Sequence, residues 1–280
     1  MKKTLIVLAL LASFQVADAQ SNVNSAAKAV ESALAASQNE KKATKVATWM
    51  KLAQTYLDAY AAPAGNVWLG ADMNALQLSM GGEKPSSVET VTLNGAQYTK
   101  QVYENKNLYF NANGQLSVIE VVKPVVENAL PKALEAYKKA YELDEKHSKD
   151  KDISAGIKAI SEKLNQEAYN AYTLGDVKKA EEYFEAAYEA AAQKPYAQID
   201  TNSLYNAAFT SWSTENFSKA KTMFDKCLGY GYYGDGGEVF AKLSDCVSHI
   251  DTTAAGKTAA KEYLEQGFQK FPTSESIVFG

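Results

Sequence analysis

Gly229, Gly231 and Gly234 spell G-x-G-x-x-G inside GYGYYGDGGE (229–238). Such a loop lets backbone N–H groups approach a dinucleotide pyrophosphate. That chemistry requires a strand before the glycines, a helix after them, and an acidic residue about twenty positions on, at the end of the next strand. Here the preceding KAKTMFDKCL has helical periodicity, and Ser248 and Asp251 downstream are themselves in a helical stretch. The glycines are therefore expected to stop a helix at Gly229 and form a loose turn, with Tyr230, Tyr232 and Tyr233 pinning it or edging a groove. No cofactor is expected.

Other reactive groupings are sparse. The chain has two histidines, His147 and His249, and neither H-E-x-x-H nor C-x-x-C occurs, so no metal site is expected. Ser248, His249 and Asp251 lie too close along one helix to converge as a nucleophilic triad. Glu181, Glu182 and Glu185 are read as the solvated face of a helix, with Lys178 supporting Glu182. No catalytic residue is assigned. Cys227 and Cys246 admit two outcomes: a disulfide closing a loop of about 20 residues, or two buried thiols in adjacent helices.

Charge narrows the partners. The net charge is −4, the pI is about 5.4, and every basic residue is lysine. Without arginine's planar fork or a basic stripe, nucleic acid is not an expected partner. Lys2 and Lys3, the apolar run Thr4–Phe14 and the A-x-A of Ala17–Ala19 read as a cleavable signal peptide over 1–19. No cysteine near the cleavage site offers a lipid anchor, and no later segment is apolar enough to span a membrane. A soluble, exported protein is expected, in the periplasm or secreted.

The elements that would position any site follow from a repeat. Ala180, Phe184 and Ala187 are matched forty residues on by Ala220, Phe224 and Cys227, and forty later by Ala260, Leu264 and Gly267. Ala133, Tyr137 and Ala140 give an upstream copy. Twelve residues before Ala180, Ala220 and Ala260 stand small residues, Ala168, Ala208 and Ser248. Short turns are expected at Gly175-Asp176, Glu215-Asn216 and Ala255-Gly256. Each unit is a helical hairpin whose apolar face must be covered by its neighbours.

Trp49, Leu52, Ala53 and Tyr56 add W-x2-L-A-x2-Y, and the later copies carry A-x3-F-x2-A, the last followed by Pro272. These residues resemble the tetratricopeptide repeat (TPR), over most of 24–62 and 125–280. More narrowly the chain resembles exported TPR proteins of Bacteroides-type bacteria with a β-insertion in the first repeat. The period of about forty residues exceeds the family's usual 34, the excess falling at 192–202 and 229–237.

The interruption is visible directly. Helical spacing stops before Pro63 and resumes after Pro124. Between them alternating stretches at 88–93, 97–103, 107–110 and 115–122, with Asn94-Gly95 and Asn113-Gly114 between strands, predict an antiparallel β-meander. Residues 64–87 include a possible short helix. The fold class is thus mainly α: a TPR-like α-solenoid carrying a small β-meander. Its parts are 20–62 (N-terminal helices and the first helix of repeat 1), 63–124 (insertion) and 125–280. The last holds units near 125–145, 153–192, 203–229 and 238–272, and the start of a further helix at 274–280. Ala53 pairs with Ala133 across the insertion, and the charge run 144–152 is a solvated connection.

The resemblance implies a concave groove on the first helix of each hairpin. Carried onto this sequence it selects Tyr169 and Tyr172, then Tyr205, Phe209 and Trp212, then His249. Asn165, Gln166, Asn202 and Asn206 lie on or near the same face. Rings and amides together suit an extended peptide or a helix. The competing assignment for these rings is core packing inside each repeat. The resemblance implies a non-catalytic periplasmic scaffold binding a protein or peptide of the cell envelope. The alternatives are a carbohydrate or small-ligand binder, and an enzyme whose site the β-insertion completes.

Overall fold

The computed structural model describes residues 23–81 and 83–278, and the expected leader over 1–19 lies outside them. The chain opens with α1 (Val23–Gln38), α2 (Glu40–Ala43) and α3 (Val46–Ala61). A short helix, α4 (Met73–Ser79), precedes β1 (Ser87–Leu93), β2 (Ala96–Val102), β3 (Lys106–Phe110) and β4 (Leu116–Val121). The rest is helical: α5 (Ala129–Leu143), α6 (Asp150–Thr173), α7 (Val177–Ala191), α8 (Thr201–Ser213), α9 (Phe217–Gly229), α10 (Glu238–Ile250), α11 (Ala254–Lys270) and α12 (Glu275–Val278). The protein is mainly helical with one small antiparallel sheet.

Local chemistry sets the boundaries. Asp176, Asp200 and Thr253 each accept a backbone N–H three residues on, capping α7, α8 and α11, at about 1 kcal/mol per cap. Gly175, at φ +88°, turns the chain between α6 and α7 where a side chain would be strained. The third hairpin turn differs from expectation. It falls at 251–253, where Asp251 accepts from the Thr253 amide and hydroxyl. Ala255 and Gly256 are already inside α11, and Ser248 is exposed rather than packed.

Small residues let the helices close. α3 packs on α5, α6 on α7, α8 on α9, and α10 on α11. Successive pairs touch through α5 and α6, α7 and α8, and α9 and α10. Ala53 and Ala133 are both fully buried in one cluster, despite the eighty residues between them. Ala168, Ala180, Ala208 and Ala220 surround Phe184 and Phe224 in a second cluster. Gly156 on α6 lies against the Tyr137 ring, 2.2 Å from where a Cβ would stand.

The insertion has its own core: Ala71, Leu76, Tyr103, Leu108, Phe110 and Leu116. Its sheet runs in the order β1-β2-β3-β4, every neighbour antiparallel. The β1–β2 turn is Asn94-Gly95, with φ of +48° and +79°, as a two-residue hairpin of right-handed twist demands.

The glycine-rich stretch follows a helix, not a strand. α9 ends at Gly229, and Gly231, Gly234, Gly236 and Gly237 all have positive φ before α10 begins. Tyr233 stacks on Phe240 at 5.8 Å and packs on Phe271, while Tyr232 packs on Tyr205. The tyrosines pin the turn to the helices.

Candidate functional site

Among the aromatic and amide residues singled out from the sequence, Asn206 bonds Tyr169, and Phe209 packs against Tyr205 and Trp212; most of their other contacts run to residues outside the set. Asn165 on α6 donates to Ser203 Oγ of α8 at 2.7 Å. Asn206 on α8 donates to Tyr169 Oη of α6 at 3.1 Å. The Tyr169 ring meets Phe184 edge-on. Gln166 donates along its own helix to Asn170. Tyr205 is buried, its ring against Phe224 and its hydroxyl donating to Glu238. Burial and that carboxylate push its phenol far above the ordinary range, so it stays a donor. Phe209 is buried beside Trp212.

Trp212 ties α8 to α10. Its Nε1 donates to Asp245 Oδ2 at 2.6 Å, and Lys242 Nζ lies 3.3 Å from the ring centroid. Ammonium over indole is a favourable electrostatic contact. His249 is exposed, stacked on Phe217 at 4.1 Å, with Nδ1 2.9 Å from the Asp245 carbonyl. Asn202 is exposed and Tyr172 half-buried.

The set is thus a polar–aromatic seam joining α6, α8 and α10. Tyr205, Asn206 and Phe209 are interior, as core packing of the rings requires. Asn202, His249 and the outer part of Trp212 remain open. Lys242 and Asp245 belong to the seam and were not singled out. They stand forty residues beyond Asn202 and Tyr205, so the repeat period would have found them.

The β-insertion sits at one end of this seam. Asn94, at the hairpin tip, donates to the carbonyls of Tyr172 and Thr173 at 3.0 and 3.3 Å. Both belong to the last turn of α6, where intrahelical donors run out; the Tyr172 carbonyl also accepts from the Gly175 amide. Asn170 on α6 donates to the Ile119 carbonyl of β4.

A cluster of titratable groups lies where the insertion leaves the helices. Tyr60, at the end of α3, donates to Glu167 Oε1 at 2.6 Å. Lys163 Nζ lies over the Tyr60 ring, and Lys179 over that of Tyr183. Burial raises the Glu167 carboxyl above its usual range, against the pull of Tyr60 and Lys179; burial also lowers Lys163. A carboxyl raised on folding binds more protons in the folded state. Stability therefore falls as pH rises from the unfolded value, about 4.3, through the folded one. Glu167→Gln keeps an acceptor for Tyr60 without the charge. Its urea midpoint is expected to match or exceed wild type at pH 7.5, with the advantage gone by about pH 4. A lower midpoint at pH 7.5 would show that the buried charge is favourable.

Glu181 is not on the solvated face expected of it. It is 7% exposed and, with Glu185, receives Lys219 of α9 at 2.6 and 2.8 Å. Glu182 alone of the three stays exposed. Cys227 and Cys246 are both buried free thiols, so the structure holds no disulfide between them. Burial pushes both up to about 12. Native protein is expected to resist iodoacetamide at pH 8, and both thiols to alkylate in denaturant. Mass spectrometry of the two samples checks this.

Among the described residues no three or more His, Cys, Asp or Glu are placed to hold a metal ion. None of the described helices is long and apolar enough to cross a membrane. No family model, no curated protein and no solved structure matches the chain.

Proposed function

We propose that the protein is a non-catalytic TPR-type scaffold of the cell envelope, exported through a cleaved leader, that holds a protein or peptide against α8 and α10. One observation carries this reading. Side chains of α6 bond to α8, and a side chain of α8 bonds to α10, which supports one continuous seam across the three. A seam braced by internal hydrogen bonds is pre-organised, which lowers the entropic cost of holding a partner. The insertion covers its α6 end, which leaves Asn202, Trp212 and His249 as the contact residues.

Photo-crosslinking from position 202 or 249 in the intact envelope tests this, with position 182 on α7 as the comparison. A discrete adduct from 202 and 249, absent from 182, is expected. Equal labelling from all three positions would remove the reading. The glycan alternative is weaker on this face, because Lys242 already occupies one side of the Trp212 ring.

A further inference from the structure

Among the described residues, the N-terminal end of the helix series has an open seat. α3 lies against both α5 and α6; it fills the groove those two helices make. One hairpin earlier the equivalent groove lies between α1 and α3, which pack on each other. There the structure has a concavity of about 530 Å³, walled by Ala33 and Ala36 of α1 and Ala47, Thr48 and Lys51 of α3. The correspondence holds by residue. Thr48 and Lys51 precede Ala53 by the same offsets at which Lys163 and Gln166 precede Ala168. Lys163 on α6 faces α3, over the Tyr60 ring. By the same geometry Thr48 faces the position left open among the described residues, and Lys51 lines the concavity beside it.

The floor is short-chained. Ala33 is buried, Ala36 half-buried and Ala47 exposed. Alanines let a helix backbone approach closely, as Ala53 and Ala133 do between α3 and α5. The rim is basic. Lys42 and Lys51 line the concavity and Lys45 stands beside it, all three exposed. None of them forms an ion pair among the described residues. Residues 23–62 carry five lysines and three carboxylates, in a chain whose net charge is −4. The local excess of positive charge thus runs against the whole.

We infer that this seat takes an amphipathic helix of a partner protein, with small residues on its buried stripe and acidic residues flanking it. The ligand mode is helix-in-groove, with alanine-type knobs for closeness and carboxylates for orientation. The leading residues 1–22 are a poor occupant by charge, since Lys2, Lys3 and Asp18 are their only ionised side chains. The seat is separate from the contact residues on α8 and α10, so either can fail without the other.

The test uses the full chain and two fluorescein-labelled helical peptides of alanine, leucine and either glutamate or lysine. The glutamate peptide is expected to give saturable polarisation that weakens with added salt, and the lysine peptide none. Lys42→Glu with Lys51→Glu, both exposed, should weaken the glutamate peptide at least about tenfold. Ala36→Trp, which fills the floor, should do the same, with circular dichroism confirming that both variants are folded. Absence of binding, equal binding of the two peptides, or binding unchanged by both variants overturns the inference. So does a wild-type dimer in sedimentation that Ala36→Trp makes monomeric, since the seat would then hold a second copy.

Discussion

Phe184→Ala is expected to cost about 3–5 kcal/mol of unfolding free energy, among the largest effects of any single truncation in this chain. Phe184 is fully buried at the meeting of α6, α7 and α8, among Ala168, Ala180, Leu204 and Ala208. Alanines have no side-chain length to swing into a gap, so the hole would stay largely open. Cavity cost rises with the volume that fails to collapse, which places this site high in the range. The Tyr169 ring would also lose its edge-on partner, and Tyr169 holds Asn206 across the seam. Urea denaturation followed by circular dichroism measures the loss. A cost below about 1 kcal/mol would mean that the helices close over the vacancy. Phe184→Leu, which refills most of the space, should recover more than half.

Lys219→Met is expected to be the second large effect, about 2–3 kcal/mol at neutral pH. Lys219 bridges Glu181 and Glu185 from the next helix pair, and the Glu181 side chain is only 10% exposed. Methionine keeps the stem but leaves two carboxylates facing each other in a poorly solvated place. Breaking such a pair from one side is costly because the remaining charge stays buried. Lys219 and Glu185 are each about one-third exposed, so solvent screening sets the figure below that of a fully buried pair. Burial works against the Lys219 ammonium, but the bonds and charges of both glutamates overcome it and raise its pKa. Its contribution is therefore complete below about 10.4, the unfolded value, and lost only as pH rises through the folded one. Adding Glu181→Gln to the variant should recover part of the loss. Equal urea midpoints for wild type and Lys219→Met would show the network to be neutral.

How legible these features were depends on how local their causes are. The strands were readable because alternation and the Asn94-Gly95 turn are short-range signals. Ala53 and Ala133 could be matched because they sit at the two small-residue positions, one on each helix, that the repeated hairpin defines. Glu181 was misplaced because local periodicity puts it with Glu182, whereas its partner Lys219 lies 38 residues away. The third hairpin turn was misplaced by about four residues because Asp251 and Thr253 build a cap that outweighs the glycine at 256. For the candidate site, the sequence picked out rings and amides by their place in the repeat. It could not separate those facing outward from those spent on bonds between α6, α8 and α10. That distinction rests on pairs such as Trp212 with Asp245, which only three-dimensional packing brings together.

The insertion's separate core has a consequence for how the chain assembles. α3 must find α5 across the residues between Ala61 and Ala129, and closing a long flexible path is entropically costly. The meander, by contrast, is built from neighbouring strands and short turns, so its contacts are close in sequence and quick to form. Because Leu108, Phe110 and Leu116 pack on α4 and its flanks, in a cluster apart from those of the helix pairs, the sheet need not wait for those pairs. Once formed, it draws its own ends together and roughly halves the free path, sparing about 0.6 kcal/mol of closure entropy. The interruption is thus expected to act as a fastener, folding early and handing α5 back to α3. Lengthening the Asn94-Gly95 turn should then slow refolding of the helices more than it changes their equilibrium stability.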